Sequence, residues 1–87
     1  MKIKDNFILR QIAGTWLVVP VGERVSDFDG MITLSDSGAL LWELLGSEKT
    51  YDELVVAVLH NYEVDEETVR KDVSEFLDEL KQNGLIE

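Results

Sequence analysis

The hydrophobic pattern along the chain changes period once, near Ser35. Before that point apolar residues come in short dense runs, and after it they recur at offsets of three and four. Phe7-Ile-Leu-Arg-Gln-Ile12 and Thr15-Trp-Leu-Val-Val-Pro20 are rich in β-branched and aromatic residues, which suit a half-buried pleated surface. Ala13-Gly14 between them fits a tight hairpin turn. Pro20 has no backbone donor, so it stops the second strand or confines it to an edge. A polar loop holding Gly22, Asp27 and Asp29-Gly30 then leads to Met31-Ile-Thr-Leu34, long enough for one short third strand. These runs predict a small three-stranded antiparallel sheet.

Three helices are predicted beyond it, each with terminal chemistry as well as periodicity. The first runs from Asp36 to about Leu45, with Ser35 accepting from orphan N–H groups, Gly46 expected in the left-handed conformation that ends it, and Leu41, Trp42 and Leu45 in its core stripe. The second opens on Thr50-Tyr-Asp-Glu53, a capping box, and ends near Tyr62. Tyr51, Leu54, Val55, Val58, Leu59 and Tyr62 share one face, which is expected to pack inward. The third starts at Asp65, where Glu66 and Glu67 complement the positive end of the helix dipole and Val64 is placed to staple onto Val69. It runs to about Asn83, with Val69, Val73, Phe76, Leu77 and Leu80 as its stripe and Gly84 as its cap. The order βββααα predicts an α+β domain of winged helix-turn-helix type, one domain over residues 1–87.

Composition narrows what such a domain does. No apolar run approaches the roughly 20 residues of a membrane span, and the Met1-Lys-Ile-Lys-Asp5 start lacks a signal peptide's apolar stretch, so a cytoplasmic protein is expected. With no cysteine and one histidine there is no disulfide framework, thiolate site or histidine metal cluster to build, and no cofactor is expected. His60, near a helix C-terminus, reads as a dipole or capping residue. Asp27-Phe-Asp29-Gly30 lacks the remaining ligand positions of a calcium loop and reads as a turn.

Eighteen acids against eight bases give a formal charge of -10, which repels phosphate backbones and anionic lipid and favours basic partners. The third helix of a winged fold is the one that enters DNA, yet from Asp65 to Lys81 it carries seven acids and three bases. Neither nucleic acid nor membrane is an expected partner. The carboxylates sit on helix surfaces where nothing desolvates them, no glycine-rich phosphate loop is present, and no Ser-His-Asp set forms around His60, so no catalysis is expected. Trp16 and Trp42 are read as core. Asp36-Ser37-Gly38 keeps one alternative open, because acyl and peptidyl carrier proteins bear pantetheine on the serine of an Asp-Ser-Leu motif opening a helix. Gly38 replaces the leucine of that motif, and carriers begin with a helix where a hairpin is predicted here. A winged-helix DNA-binding regulator is the third reading.

Hairpin and short strand are followed by Leu34-Ser-x-Ser-Gly-Ala-Leu-Leu-Trp-Glu-Leu-Leu45, Thr50-Tyr-Asp-Glu-Leu54 and Val69-Arg-Lys-Asp-Val-Ser-Glu-Phe-Leu-Asp-Glu-Leu80. This order resembles the PqqD family over nearly the whole chain. The family usually has asparagine where Ser35 stands, a change that keeps the capping role. Its members are leader-peptide recognition modules, chaperones for ribosomally made precursor peptides. The resemblance implies a precursor (leader) peptide as one partner and a maturation enzyme, such as a radical SAM enzyme or leader peptidase, as another.

It also implies that the leader adds as a further strand beside the third strand, in a groove walled by the third helix. Met31, Ile32, Thr33 and Leu34 would then supply an open main-chain edge, which equally permits a monomer or a strand-exchanged dimer. Placed at 100° intervals around the helix from Val73, Leu77, Arg70, Lys81 and Ser74 fall on one flank. Asp72, Glu79 and Asn83 fall on the other, with Phe76 between them and the core. The first flank is the expected wall: an exposed Leu77 between two cations suits a hydrophobic anchor followed by an acidic residue. The expected peptide-binding residues are thus Met31, Ile32, Thr33, Leu34, Arg70, Val73, Ser74, Leu77 and Lys81. The competing reading of Arg70 and Lys81 is that they merely pair with neighbouring acids, at about 0–1 kcal/mol each.

Overall fold

The computed structural model describes residues 1–22 and 32–86; the expected turn at Asp27–Gly30 and the first residue of the expected third strand, Met31, lie outside them. Strands β1 (Phe7–Ile12) and β2 (Thr15–Pro20) pair antiparallel with Ile12 opposite Thr15. Ala13 and Gly14 hold φ values of 51° and 81°, the two positive values that a twist-matched two-residue hairpin turn needs. Strand β3 (Ile32–Leu34) pairs with β2 through Trp16↔Leu34, Leu17↔Thr33 and Val18↔Ile32. The sheet order is β1-β2-β3, which leaves β3 at an edge.

Helix α1 (Asp36–Leu44) starts where the Ser35 hydroxyl accepts the Gly38 N–H at 3.2 Å. It does not end as expected. Gly46 is absent from the residues with positive φ, so the left-handed cap is corrected: a Cβ at Gly46 would lie 3.1 Å from the Glu43 carbonyl, and close approach is what the glycine permits. Helix α2 (Tyr51–Asn61) has both halves of its capping box, with the Glu53 N–H donating to the Thr50 hydroxyl at 3.2 Å and the Thr50 N–H to Glu53 Oε1 at 2.9 Å. Helix α3 (Glu66–Gln82) starts at the Asp65 carboxylate, which accepts the Thr68 N–H at 3.0 Å. It ends with Gly84 at φ 72°, the Leu85 N–H donating to Leu80 O and the Gly84 N–H to Lys81 O, which together close a Schellman motif.

The core joins Val18 and Ile32 of the sheet to Leu41, Trp42 and Leu45 of α1, Leu54, Val55 and Val58 of α2, and Val69, Val73, Leu77 and Leu80 of α3. Leu85 and Ile86 complete it. A connection that the periodicity did not predict ties its ends: Ile3 bridges Ile86, while the Ile3 and Lys4 N–H groups donate to the carbonyls of Leu45 and Leu85, each at 2.9 Å. Tyr62 departs from the expected inward face of α2. It caps the helix with extended backbone and stays 36% exposed, beside a 42% exposed Val64. Among the described residues no helix is long and apolar enough to cross a membrane.

Candidate functional site

The register of the sheet fixes which main-chain groups remain open. A two-residue turn makes Ile12 and Thr15 a hydrogen-bonded pair, so alternation directs the N–H and C=O of Trp16 and Val18 toward β3. Ile32 and Leu34 meet them, and the Thr33 N–H and C=O point to the outer edge. Among the described residues no strand pairs with that edge. The Thr33 side chain is exposed and that of Leu34 half-buried.

Helix α3 lies across from this edge, and its two flanks have different neighbours. On the first flank the Tyr51 hydroxyl of α2 donates to the Arg70 carbonyl at 2.9 Å and accepts from the Ser74 hydroxyl at 3.2 Å. The Arg70 guanidinium stands 5.7 Å from the centre of the Tyr51 ring, with Nε 3.2 Å from Glu66 Oε2 and Nη1 3.3 Å from Asp52 Oδ1. Those bonds, Glu66 first and Asp52 next, raise its pKa above the ordinary arginine value. Leu77 is only 5% exposed and belongs to the core. The expectation of an exposed Leu77 between two free cations is therefore corrected. Arg70 and Ser74 face α2, because α2 packs on that side. Lys81 is exposed and makes no ion pair among the described residues.

The second flank borders a groove of ≈ 600 Å³. Thr33 and Leu34 form one margin, and the α1 start from Ser35 to Gly38, with Leu41, continues it. Val58, Tyr62 and Val64 also line it, and Val69, Asp72, Val73, Glu75, Phe76 and Glu79 form the α3 wall. The fold makes room for it at Gly38, where a Cβ would meet Leu34 Cβ at 3.3 Å, Ser35 Oγ at 3.4 Å and Phe76 Cε1 at 3.6 Å. Of the expected peptide-binding residues, Thr33, Leu34 and Val73 line this groove, while Arg70, Ser74, Leu77 and Lys81 do not. Ile32 is buried in the core and does not line it, and Met31 lies outside the described residues.

The groove has an apolar floor and an acidic rim. Among the described residues Asp36, Asp72, Glu75 and Glu79 are its charged residues, and no described Lys or Arg lines it. Asp36 Oδ1 accepts the Trp16 indole N–H at 3.1 Å; Asp72, Glu75 and Glu79 make no ion pair among the described residues. Ser37, the serine of the carrier reading, is half-buried in the same margin with its hydroxyl 3.2 Å from that of Ser35. His60 sits away from it, in the last turn of α2 beside Val56 and Leu59.

The helix named through the resemblance borders the groove, but the helical wheel did not single out Asp72, Glu75, Phe76 and Glu79 as the side that lines it. One signal was available: Tyr62 and Val64 are apolar residues at the α2–α3 connection, and Phe76 widens the α3 stripe toward the side they share.

A family model described as coenzyme PQQ synthesis protein D (PqqD) matches residues 16–86. The solved structure of TbiB1 in complex with the TbiA(beta) leader peptide is 29% identical, covers 100% of this chain and 95% of that chain, and superposes with a TM-score of 0.78. Lasso peptide synthetase B1 complexed with the leader peptide is 18% identical over 97% of this chain and 93% of its own, with a TM-score of 0.72, a likeness of fold. No functionally curated protein matches by sequence.

Proposed function

Since this chain belongs to the PqqD family, we propose that it is a non-catalytic module that binds the leader of a ribosomally synthesised precursor peptide and presents it to a separate maturation enzyme in the cytoplasm. That enzyme is of the radical SAM or leader-peptidase kind. The observation that carries the reading is the juxtaposition of an open β3 edge, at Thr33, with an apolar groove on the Asp72–Phe76–Glu79 side of α3. The leader-peptide complexes formed by TbiB1 and by lasso peptide synthetase B1 support it, the first at 29% identity.

The physics of the two surfaces divides the work. Main-chain pairing at Thr33 contributes affinity, about 0.5–1.5 kcal/mol net per hydrogen bond, and is indifferent to side chains. Selectivity comes from the groove, where alternate residues of the added strand point at Leu34, Val73 and Phe76. Binding therefore lies at Ile32–Leu34 and the open flank of α3.

Titrating 15N-labelled protein with the leader of the precursor encoded beside its gene tests this. Saturable amide shifts are expected at residues 32–34 and at Asp72, Phe76 and Glu79. Shifts confined to Arg70, Ser74 and Tyr51, or no saturable shift, would overturn the proposal.

A further inference from the structure

We infer that the segment held in this groove is basic around its apolar anchor: the groove selects a strand with one large apolar residue and a Lys or Arg two positions to either side. This rests on the leader-binding reading and specifies its substrate.

Charge complementarity carries it. The carboxylates of Asp72 and Glu79 lie four residues before and three residues after Phe76, so all three share one side of α3. Glu75 and Asp36 add to the same rim, and among the described residues none that lines it carries a positive charge. The arginine of α3 is already committed on the opposite flank, to Glu66 and Asp52. The rim acids have no ion-pair partner among the described residues.

Spacing agrees with the charges. Seven residues of helix, from Asp72 to Glu79, advance about 10 Å. In an added strand, positions i−2 and i+2 face the same side as i and span about 13 Å, a difference well within the reach of lysine side chains. An anchor seated on Phe76 thus places its same-face neighbours near the two carboxylates. An acidic segment would set like charges against each other in the same places, at a cost that salt reduces.

The test uses three synthetic peptides that share one apolar anchor and differ only in carrying Lys, Gln or Glu at both i−2 and i+2. Fluorescence anisotropy should rank them Lys, Gln, Glu, with a spread of about tenfold at about 50 mM salt that narrows at about 300 mM. The D72K/E79K double variant should reverse the ranking, with its melting temperature as the check on folding. The control variant E43K/D78K changes the overall charge equally, away from the groove, and should preserve the ranking. Equal binding of all three peptides, or loss of the ranking in the control, overturns the inference and leaves strand addition standing. Failure of every peptide to bind removes the leader-binding reading and the inference with it.

Discussion

The two flanks of α3 differ less in composition than in company. One, bearing Arg70 and Ser74, is occupied by α2: Tyr51 bonds both residues, and Glu66 and Asp52 pair with the guanidinium. The other, bearing Asp72, Glu75, Phe76 and Glu79, faces β3 across a groove and has no such partners among the described residues. A cation on the surface advertises a binding site only if the protein has not already paired it. Here the paired flank supports the fold, and the unpaired flank is the one proposed to receive a guest.

The largest separation of the two roles is expected at Leu77. Because it is buried in the core, L77D should destabilise the protein by about 3 kcal/mol or more in a urea melt, through desolvation of an unpartnered carboxylate. A folded L77D protein with unaltered stability would return this residue to the groove. Next in size is F76A, which removes the half-buried ring of the groove wall. Leader affinity should fall by about 1.5–3 kcal/mol in calorimetry. An affinity unchanged in a folded variant would empty the open flank of its role.

Y51F sharpens the contrast from the other side. It deletes the hydroxyl shared by Arg70 and Ser74 and should lower unfolding stability by about 0.5–1.5 kcal/mol while leaving leader affinity as it was. Weaker binding there would mean the paired flank also touches the guest.

The smallest effect concerns the helix starts. The backbone N–H of Thr50 holds the Glu53 carboxyl below its ordinary value of 4.5, and that of Thr68 holds Asp65 below 3.8. A carboxylate depressed by folding contributes stability above its unfolded pKa and loses it as pH falls through the folded one. Melting temperature should accordingly stay level above the ordinary value of 4.5 and decline in more acidic solution. Protection of the Thr50 and Thr68 amides, which donate to these two carboxylates, should fall in parallel once the intrinsic pH dependence of exchange is divided out.

What was legible in the sequence is what is local. Ser35, Thr50 with Glu53, Asp65 and Gly84 act within a turn of the residues they cap, and Ala13-Gly14 sets its hairpin by its own dihedrals. Gly46 shows the limit even there, since a close carbonyl rather than a left-handed turn accounts for it. Harder to read was anything decided between elements. The Ile3–Ile86 bridge joins the two ends of the chain and leaves no periodic trace. Tyr62 satisfies the α2 spacing, but the helix ends at Asn61 and the chain turns to extended geometry, which swings the ring out of the packed face. The flank of α3 is the same kind of problem: a helical wheel places Arg70 and Asp72 on opposite sides of Val73, and only the side from which α2 arrives decides which is covered.

Amide hydrogen exchange at Thr33 reaches the central claim most directly. Its N–H is the outward donor of β3, whereas those of Ile32 and Leu34 already face β2. With leader peptide at saturation, exchange at Thr33 should slow strongly while its two neighbours change little. If Thr33 exchanges as fast in the complex as in the free protein, no strand has been added at that edge and the account is wrong.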